Sequence, residues 1–390
     1  MKNFVLLKKG KEKSLKNFHP WIFSGAIESL PEFENGEILP VLSFEKEFLG
    51  HAYFNKNSSI IGRMVNFSQE NPIDSILKNL SNAIDLRKKF FDNSTTNAYR
   101  LINAEGDFLP GLVVDKYDKI LVFQITTLGI EKLKPTILDF FIKNLKPDTI
   151  YEKSNSPARA EEDLAAYENV LYGKKPEKIF IKENGYGFKI NLQTAQKTGF
   201  FLDQKDSRQL IKNLSLNKNV LNCFGYTGAF SVYALHGGAK KVTTVDLSKT
   251  ALSEAEENLS LNGFDKTKNP CVCANVFDFL RTLNAFEYEI IILDPPAFCK
   301  KSKDVIEACR AYKDINRLAI KNIAPGGILL TCSCSHFVNE ELFQKVIFQA
   351  AAEAKRNVQI IQKHHLAYDH PINIYHPESA YLKSFVLYVL

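Results

Sequence analysis

The sequence predicts an α/β protein whose second half is a Rossmann-like, mainly parallel sheet, preceded by a small β-rich domain and a central α+β domain. Three observations predict this. Beyond Gln193, short β-branched runs alternate with helical segments, the pattern of a parallel sheet with crossover helices. Within that region, Val220-Leu-Asn-Cys-Phe-Gly-Tyr-Thr-Gly-Ala-Phe230 sets a buried strand, a tight glycine turn and a helix in succession. At the amino end, alternations such as Glu37-Ile-Leu-Pro-Val-Leu42 and Phe48-Leu-Gly-His-Ala-Tyr-Phe54 are punctuated by Gly25, Gly36, Gly50 and Gly62, as in a small β module.

These textures divide the chain into residues 1–68, 69–190 and 191–390. Ile73, Ile76, Leu77, Leu80, Ile84 and Leu86 recur at helical spacing, so residues 71–91 read as a connecting helix. In the central part, residues 101–102, 111–114, 120–125 and 149–151 read as strands and 128–145 as a helix. Residues 179–181 and 187–192, joined across Gly185, read as a hairpin. In the last part the strands are residues 219–223, 241–245, 289–293 and 327–331. There are no repeats and no low-complexity segment.

The turn after Cys223 carries the first chemistry. Gly225 and Gly228 permit a ligand to approach the backbone closely. The helix that follows offers free N–H groups and the positive end of its dipole. With the glycines three apart, this is not the full G-x-G-x-x-G of dinucleotide enzymes. The next strand ends in Asp246, whose carboxylate can accept two hydrogen bonds from a ribose diol. Ser248 caps the following helix, Leu252, Ala255 and Leu259 share one of its faces, and Gly263 ends it. Asn275, two residues past Cys273, falls near the next strand end; it or Asp278 is positioned to contact an adenine ring. A plain structural turn with a surface acid is the alternative, and the ordered arrival of these elements counts against it.

The strand at residues 289–293 leads into Asp294-Pro295-Pro296-Ala297-Phe298. A carboxylate followed by two prolines makes a rigid, donor-poor loop, and ligands of open α/β sheets bind at such strand ends. The loop can hold a planar base and offer it acceptors. The last of these strands runs into Cys332-Ser333-Cys334-Ser335. A lone cysteine usually behaves as a small buried hydrophobe, but a thiol beside a nucleoside cofactor has a specific use. Carbon-5 of cytosine is a poor nucleophile. A thiolate adding to carbon-6 pushes electron density onto carbon-5, and a nearby carboxylate, here Asp294, assists at the base ring. Either cysteine is a candidate on this ground.

Bulk composition narrows the classes. The chain has 390 residues, 45% hydrophobic and 24% charged, with 50 basic against 44 acidic residues and a net charge of +6. That excess permits an anionic partner without requiring one. Its placement says more, in Lys8, Lys9, Lys11, Lys13 and Lys16, and again in Lys300, Lys301 and Lys303. All seven cysteines lie in the second half, and the close pairs are Cys-x-Cys, not the two-residue gap usual for zinc. No metal and no disulfide scaffold is expected. No apolar run approaches the ~20 residues that span a bilayer, and the amino-terminal Phe4-Val-Leu-Leu7 is too short for a signal-peptide core. A cytoplasmic protein without a membrane partner is expected.

Taken together, these residues resemble the bacterial class I rRNA methyltransferases that form 5-methylcytosine in large-subunit 23S rRNA and carry an amino-terminal PUA domain. Lys8-Lys-Gly-Lys-Glu-Lys-Ser14 and His19-Pro-Trp-Ile-Phe-Ser-Gly25 resemble that family's opening. Arg100-Leu-Ile-Asn-Ala-Glu-Gly-Asp-Phe-Leu-Pro-Gly-Leu-Val-Val-Asp115 resembles its central signature. Gln196-Lys-Thr-Gly-Phe-Phe-Leu-Asp-Gln204, continuing into Lys205-Asp-Ser-Arg208, resembles the segment that wraps its cofactor. Phe224-Gly-Tyr-Thr-Gly228, Asp294-Pro-Pro296 and Ser333-Cys-Ser335 resemble its later motifs.

The resemblance implies a PUA domain over 1–68 and a seven-stranded class I methyltransferase domain over 191–390. It implies S-adenosylmethionine as cofactor, bound by Phe224, Gly225, Tyr226, Thr227, Gly228, Asp246, Asn275, Asp294 and Gln204. It favours Cys334 over Cys332 as the nucleophile, because the family's cysteine lies between two serines, with Asp294 as the catalytic carboxylate. Cys332 stands where an aromatic residue is expected. Ala297 stands where a basic one is common, and Lys300 and Lys301 can supply that charge. Lys8, Lys9 and Lys11, near Trp21 and Phe23, become RNA-backbone contacts; Trp21 alone would read as core. The implied partner is large-subunit rRNA, with the target base single-stranded or flipped, and a homodimer stays open. The rival within methyltransferases is a guanine-nitrogen enzyme, which needs no thiol. A nicotinamide-dependent oxidoreductase and a non-catalytic RNA-binding protein are the rivals outside that class.

Overall fold

The computed structural model describes residues 3–195 and 198–390. Gln196 and Lys197, which open the cofactor-wrapping signature, lie outside the described residues. The chain forms two compact units, the first from Met1–Ile181, Ile190–Leu202 and Tyr368–Ser379, the second from Lys182–Lys189, Asp203–Ala367 and Ala380–Leu390. Among the described residues, no helix is long and apolar enough to cross a membrane.

The first unit holds two sheets. In the six-stranded one the spatial order is Trp21–Ile22, Gly62–Asn66, Phe48–Phe54, Ile38–Leu42, Val5–Leu7 and Ile27–Ser29. Alternation in Ile38–Leu42 and Phe48–Phe54 sends Leu39, Val41, Ala52 and Phe54 inward, where they join Val5, Leu7 and Ile22 in a core. The helix Pro72–Phe90 begins where Asn71 accepts the Ile73 and Asp74 N–H groups and a proline fills the first helical position. The five-stranded sheet runs Tyr167–Gly173, Thr149–Ser154, Ile120–Ile125, Leu112–Tyr117 and Ala98–Asn103, with the helix Leu128–Leu145 following the Ile120 strand. The Tyr167–Gly173 strand was not expected. It is an exposed edge strand without apolar alternation.

The signature from Arg100 to Asp115 is a charge network of this unit. Arg87 lies bidentate on Asp107 at 2.5 and 2.7 Å and also donates to the Arg100 carbonyl at 2.8 Å. Arg100 and Asp115 pair across neighbouring strands, with Nε to Oδ1 at 2.5 Å.

In the second unit we label the strands β1 Asn219–Cys223, β2 Lys241–Asp246, β3 Cys271–Cys273, β4 Ile290–Leu293, β5 Gly327–Ser333, β6 Val358–His364 and β7 Lys383–Val389. The helices are α1 Lys205–Leu214, α2 Ala229–His236, α3 Lys249–Leu261, α4 Val276–Thr282, α5 Val305–Asn322 and α6 Glu340–Ala354. The sheet order is β3-β2-β1-β4-β5-β7-β6. Neighbours from β3 to β5 are parallel, whereas β7 runs antiparallel to both β5 and β6. The expected mainly parallel sheet is therefore mixed, with one reversed strand. Leu221, Cys223, Ile291, Leu293, Leu329, Phe385 and Leu387 pack with Tyr312, Ile315 and Phe343 from α5 and α6 into one core. Full burial on both sheet faces explains why β1 and β4 read as near-continuous apolar runs.

The hairpin tip belongs to this unit and holds a buried ion pair. The hairpin strands are Ile179–Glu183 and Tyr186–Ile190. Glu183 is fully buried and accepts from Arg208 Nε at 2.8 Å and Nη2 at 2.7 Å, and from the Tyr233 hydroxyl at 2.9 Å. Arg208 of α1 is thereby fully paired, which accounts for the arginine of the Lys205-Asp-Ser-Arg208 signature. Removing one member of such a pair leaves an uncompensated buried charge. Glu183→Ala is expected to destabilise the second unit by about 3–5 kcal/mol. Urea unfolding followed by circular dichroism measures this, and a loss below about 1 kcal/mol would show that Arg208 is stabilised some other way.

Candidate active site

The parallel register lines up the strand ends. Cys223 of β1 pairs with Val245 of β2 and Leu293 of β4, and Leu293 pairs with Thr331 of β5. Phe224, Asp246 and Asp294 thus lie one residue past a common row, and Cys334 lies just beyond the end of β5. This is the carboxyl edge where open α/β sheets bind ligands.

The turn after β1 is tightly constrained. Phe224 and Tyr226 both adopt positive φ, 57° and 46°, a conformation that non-glycine residues rarely hold. The Gly225 N–H donates to the Val245 carbonyl at 3.0 Å, and Gly228 N–H to the Gly225 carbonyl at 2.8 Å. The fold supplies a further reason for the glycines. A Cβ on Gly225 would sit 2.4 Å from Thr244 Cγ2, and one on Gly228, at φ +77°, would sit 2.9 Å from Ala255 Cβ. The close approach is to β2 and α3, on the protein side. Thr227 is buried, and its carbonyl accepts from Asn258 Nδ2 at 2.9 Å.

Asp246 anchors this turn. Its Oδ2 accepts the Tyr226 N–H at 3.0 Å and its Oδ1 the Ser248 N–H at 2.8 Å. Each oxygen keeps a further lone-pair direction for a ligand hydroxyl. Ser248 accepts the Ala251 N–H as the α3 cap. Asn275 is an exposed helix cap: its Oδ1 accepts the Phe277 N–H at 2.9 Å. Asp278 is exposed and paired with Arg281 at 3.0 Å. Gln204 is buried, and its Nε2 donates to Asp294 Oδ1 at 2.9 Å. Gln204 Oε1 is buried without a hydrogen-bond partner among the described residues.

The two thiols behave differently. Cys332 is fully buried, and burial, with the Asp294 charge adding to it, pushes its thiol well above the ordinary range. Cys334 is half-buried, and its Sγ points at the Pro295 carbonyl, 3.9 Å away. The serines on either side are both fully buried. Ser333 Oγ accepts the Ser335 N–H at 3.4 Å; Ser335 Oγ accepts the Cys299 N–H at 3.1 Å and meets the Tyr312 hydroxyl at 2.9 Å. Lys383, not singled out from the sequence, donates to the Ser335 carbonyl at 2.7 Å. The only signal for it was a charged residue heading the apolar run of β7.

Lys300 and Lys301 are exposed beyond the Asp294-Pro-Pro loop; Lys8, Lys9 and Lys11 are exposed on the first unit. Phe23 is exposed, whereas Trp21 is half-buried and its Nε1 donates to Glu105 at 2.9 Å. In the same unit His19, His376 and Glu378 gather, with His19 Nε2 at 3.6 Å and His376 Nε2 at 3.8 Å from the carboxylate. The Trp21 N–H donates to His19 Nδ1 at 3.3 Å, which puts the neutral ring's proton on Nε2, aimed at Glu378. That nitrogen then presents no lone pair to a metal.

Known proteins match this chain along its whole length. Residues 159–363 match the S-adenosylmethionine-dependent methyltransferase family, and residues 5–67 match the PUA-like domain family. A ribosomal RNA large subunit methyltransferase I of Alteromonas mediterranea is 40% identical and covers 98% of each chain. Its namesake in Vibrio cholerae is 41% identical over 99% of each. Among solved structures, SMU.776 in complex with SAH is 27% identical, covers 100% of each chain and superposes with a TM-score of 0.86.

Asp246 anchors the glycine turn, and it is the residue expected to accept from the ribose. Losing hydrogen bonds to a charged group typically costs about 1.5–3 kcal/mol, so Asp246→Ala is expected to weaken S-adenosylhomocysteine binding about 10- to 100-fold. Titration calorimetry measures this directly. An unchanged Kd would remove Asp246 from the cofactor site.

Proposed function

We propose that this chain, which belongs to the ribosomal RNA large subunit methyltransferase I family, methylates carbon-5 of a cytosine through a covalent bond to Cys334. The coarser activity stands on the family: this is an S-adenosylmethionine-dependent rRNA methyltransferase with a PUA-like amino-terminal domain. The cytosine-5 reaction is our reading. The observation that carries it is the half-buried Cys334 held between two anchored serines at the end of β5, beside the Asp294 loop.

The chain's residues fit the cofactor. Asp246 offers a carboxylate to a ribose, the turn from Phe224 to Gly228 leads into the amino end of α2, and Gln204 Oε1 is a buried acceptor without a hydrogen-bond donor among the described residues. When bound, S-adenosylmethionine supplies an electrophilic methyl group. The Cys334 thiolate adds to carbon-6 of the cytosine, and the displaced electron pair makes carbon-5 nucleophilic enough to take that methyl. A general base takes the carbon-5 proton, the freed C–H pair restores the carbon-5–carbon-6 double bond, and the carbon–sulfur bond breaks with its electrons leaving on sulfur. Asp294, fixed by Gln204, is suited to orient the base and accept from its exocyclic amine. Cys332 is a poor second nucleophile, because burial keeps its thiol protonated.

Cys334→Ala is expected to abolish transfer while leaving S-adenosylhomocysteine binding intact, and Cys332→Ala is expected to preserve transfer. Bisulfite sequencing of rRNA from cells with and without the gene reports the product. A protected cytosine that converts in its absence supports the reading. Full turnover of Cys334→Ala, or a lost guanine methylation instead, would overturn it.

The exposed Lys300 and Lys301 and the amino-terminal Lys8, Lys9 and Lys11 are assigned to RNA phosphates. Replacing Lys300 and Lys301 by alanine is expected to weaken RNA binding and to flatten its salt dependence by about 0.7 in slope for each phosphate no longer neutralised. Binding titrations at several salt concentrations test this, and an unaltered slope would place the RNA path elsewhere.

A further inference from the structure

The helix Pro72–Phe90 ends in two successive phenylalanines that pack differently. Phe91 stacks on Tyr99, with ring centroids 4.8 Å apart and planes 10° from parallel, and both belong to the apolar core of the first unit. Phe90 does not join that core. It stacks on Tyr368, with centroids 5.4 Å apart and planes 7° from parallel. Phe90 is 53% exposed and Tyr368 is 68% exposed.

The turn that carries Tyr368 has fastenings of its own. Arg87, three residues before Phe90 on the helix, donates from Nη2 to the Asp369 carbonyl at 2.7 Å. The Asp369 carboxylate accepts the Arg100 N–H at 2.8 Å. Asn103 Nδ2 donates to the Pro371 carbonyl at 3.0 Å. Arg87 is itself locked bidentate on Asp107. These bonds fix the turn against the helix end, so the ring pair is not what holds the turn in place. Two flat rings are thereby kept parallel at the surface.

Aromatic groups gain from offset stacking, and a third flat group extends the stack over the ring surface that Phe90 and Tyr368 still expose. The neighbouring charge favours an anion beside it. Lys88 and Lys89 precede Phe90. Lys88 pairs with Asp85 at 2.9 Å. Lys89 is exposed and has no ion pair or hydrogen bond among the described residues. Asp92, the acid that follows the rings, spends its carboxylate on the Ser94 N–H and hydroxyl, at 2.9 and 2.6 Å. A flat group joined to a phosphate is a nucleotide. Single strands are held by this combination, an aromatic face for the base and a cation for the backbone.

We propose that Phe90 and Tyr368 form a stacking platform for an unpaired base of the rRNA substrate, with Lys89 meeting the adjoining phosphate. The site is built from residues of the first unit alone. The inference rests on rRNA as the substrate, and on neither the cytosine-5 reading nor the identity of the nucleophile. No bond is made or broken at this platform. It holds the strand, so its loss weakens affinity and leaves the rate of the bound complex unchanged.

The test uses the full chain and protein-free 23S rRNA. Ultraviolet crosslinking of the wild type, read by mass spectrometry, is expected to leave nucleotide adducts on the Phe90 or the Tyr368 peptide. Adducts elsewhere and on neither of these would overturn the proposal. Phe90→Ala and Tyr368→Ala are each expected to weaken RNA binding about 5- to 100-fold at fixed salt, raising KM for methyl transfer and keeping kcat. Phe90→Tyr and Tyr368→Phe, which retain the ring, are expected to bind like wild type. Stacking releases no counterions, so the alanine variants keep the wild-type salt slope, whereas Lys89→Ala lowers it by about 0.7. Wild-type affinity in both alanine variants overturns the platform, and so does an equal loss in the ring-retaining variants. Circular dichroism verifies folding; where the alanine variants unfold, the wild-type crosslinks decide. Unchanged RNA affinity with an altered sedimentation coefficient would assign the rings to a contact between protein chains and overturn it too. Failure of the wild type to bind 23S rRNA would instead overturn the substrate class, and this inference with it.

Discussion

The turn from β1 into α2 has no room for a side chain on its inner side, and the cofactor edge of the second unit is organised by that constraint. Gly225 lies against Thr244 and Gly228 against Ala255. Because the turn is pressed onto β2 and α3, the Tyr226 N–H reaches Asp246. The other Asp246 oxygen holds the Ser248 N–H at the start of α3. One carboxylate therefore ties the end of β2 to the turn on one side and to a helix start on the other. The positive φ angles at Phe224 and Tyr226 each cost about 1–3 kcal/mol, offset by these bonds. Both Asp246 oxygens are thus held in place by backbone N–H groups of the fold itself.

Buried charge is handled in two ways, and the difference carries chemical meaning. Arg87 and Arg208 each lie bidentate on a buried carboxylate, Asp107 and Glu183. A guanidinium cannot shed its proton, so it must be met by a full negative charge. Those pairs are structural, one in each unit. Lys383 is met by carbonyl oxygens alone. Carbonyls satisfy hydrogen bonds without neutralising the charge, and burial lowers the Lys383 pKa to about 8.

The sequence was most legible where one local rule governs. The strands β1, β2, β4 and β5 are short, mostly apolar runs, and they were readable with errors of a residue or two. By contrast, Tyr167–Gly173 and β6 are exposed strands whose side chains show no apolar alternation; backbone pairing alone defines them. The glycine turn was legible as a pattern, but its physical cause was not, since Thr244 and Ala255 are neighbours only in the fold. Asn275 was chosen for its place at a strand end, and the structure adds that its oxygen caps α4. Lys383 could not be found from sequence, because its reach to Ser335 depends on the antiparallel register of β5 and β7.

The cysteine pair shows how a period-two argument fails at a strand end. Alternation along a strand puts Cys332 and Cys334 on the same face. β5 stops at Ser333, so Cys334 is already on the departing chain and escapes the burial that closes over Cys332. The flanking serines then have to do what the strand no longer does. Ser333 and Ser335 are both fully buried; one accepts the backbone of the other, and Ser335 is held further by Cys299 and Tyr312. These bonds hold the backbone on both sides of the Cys334 thiol. The Ser-Cys-Ser pattern thus places two buried hydroxyl anchors around one half-buried sulfur.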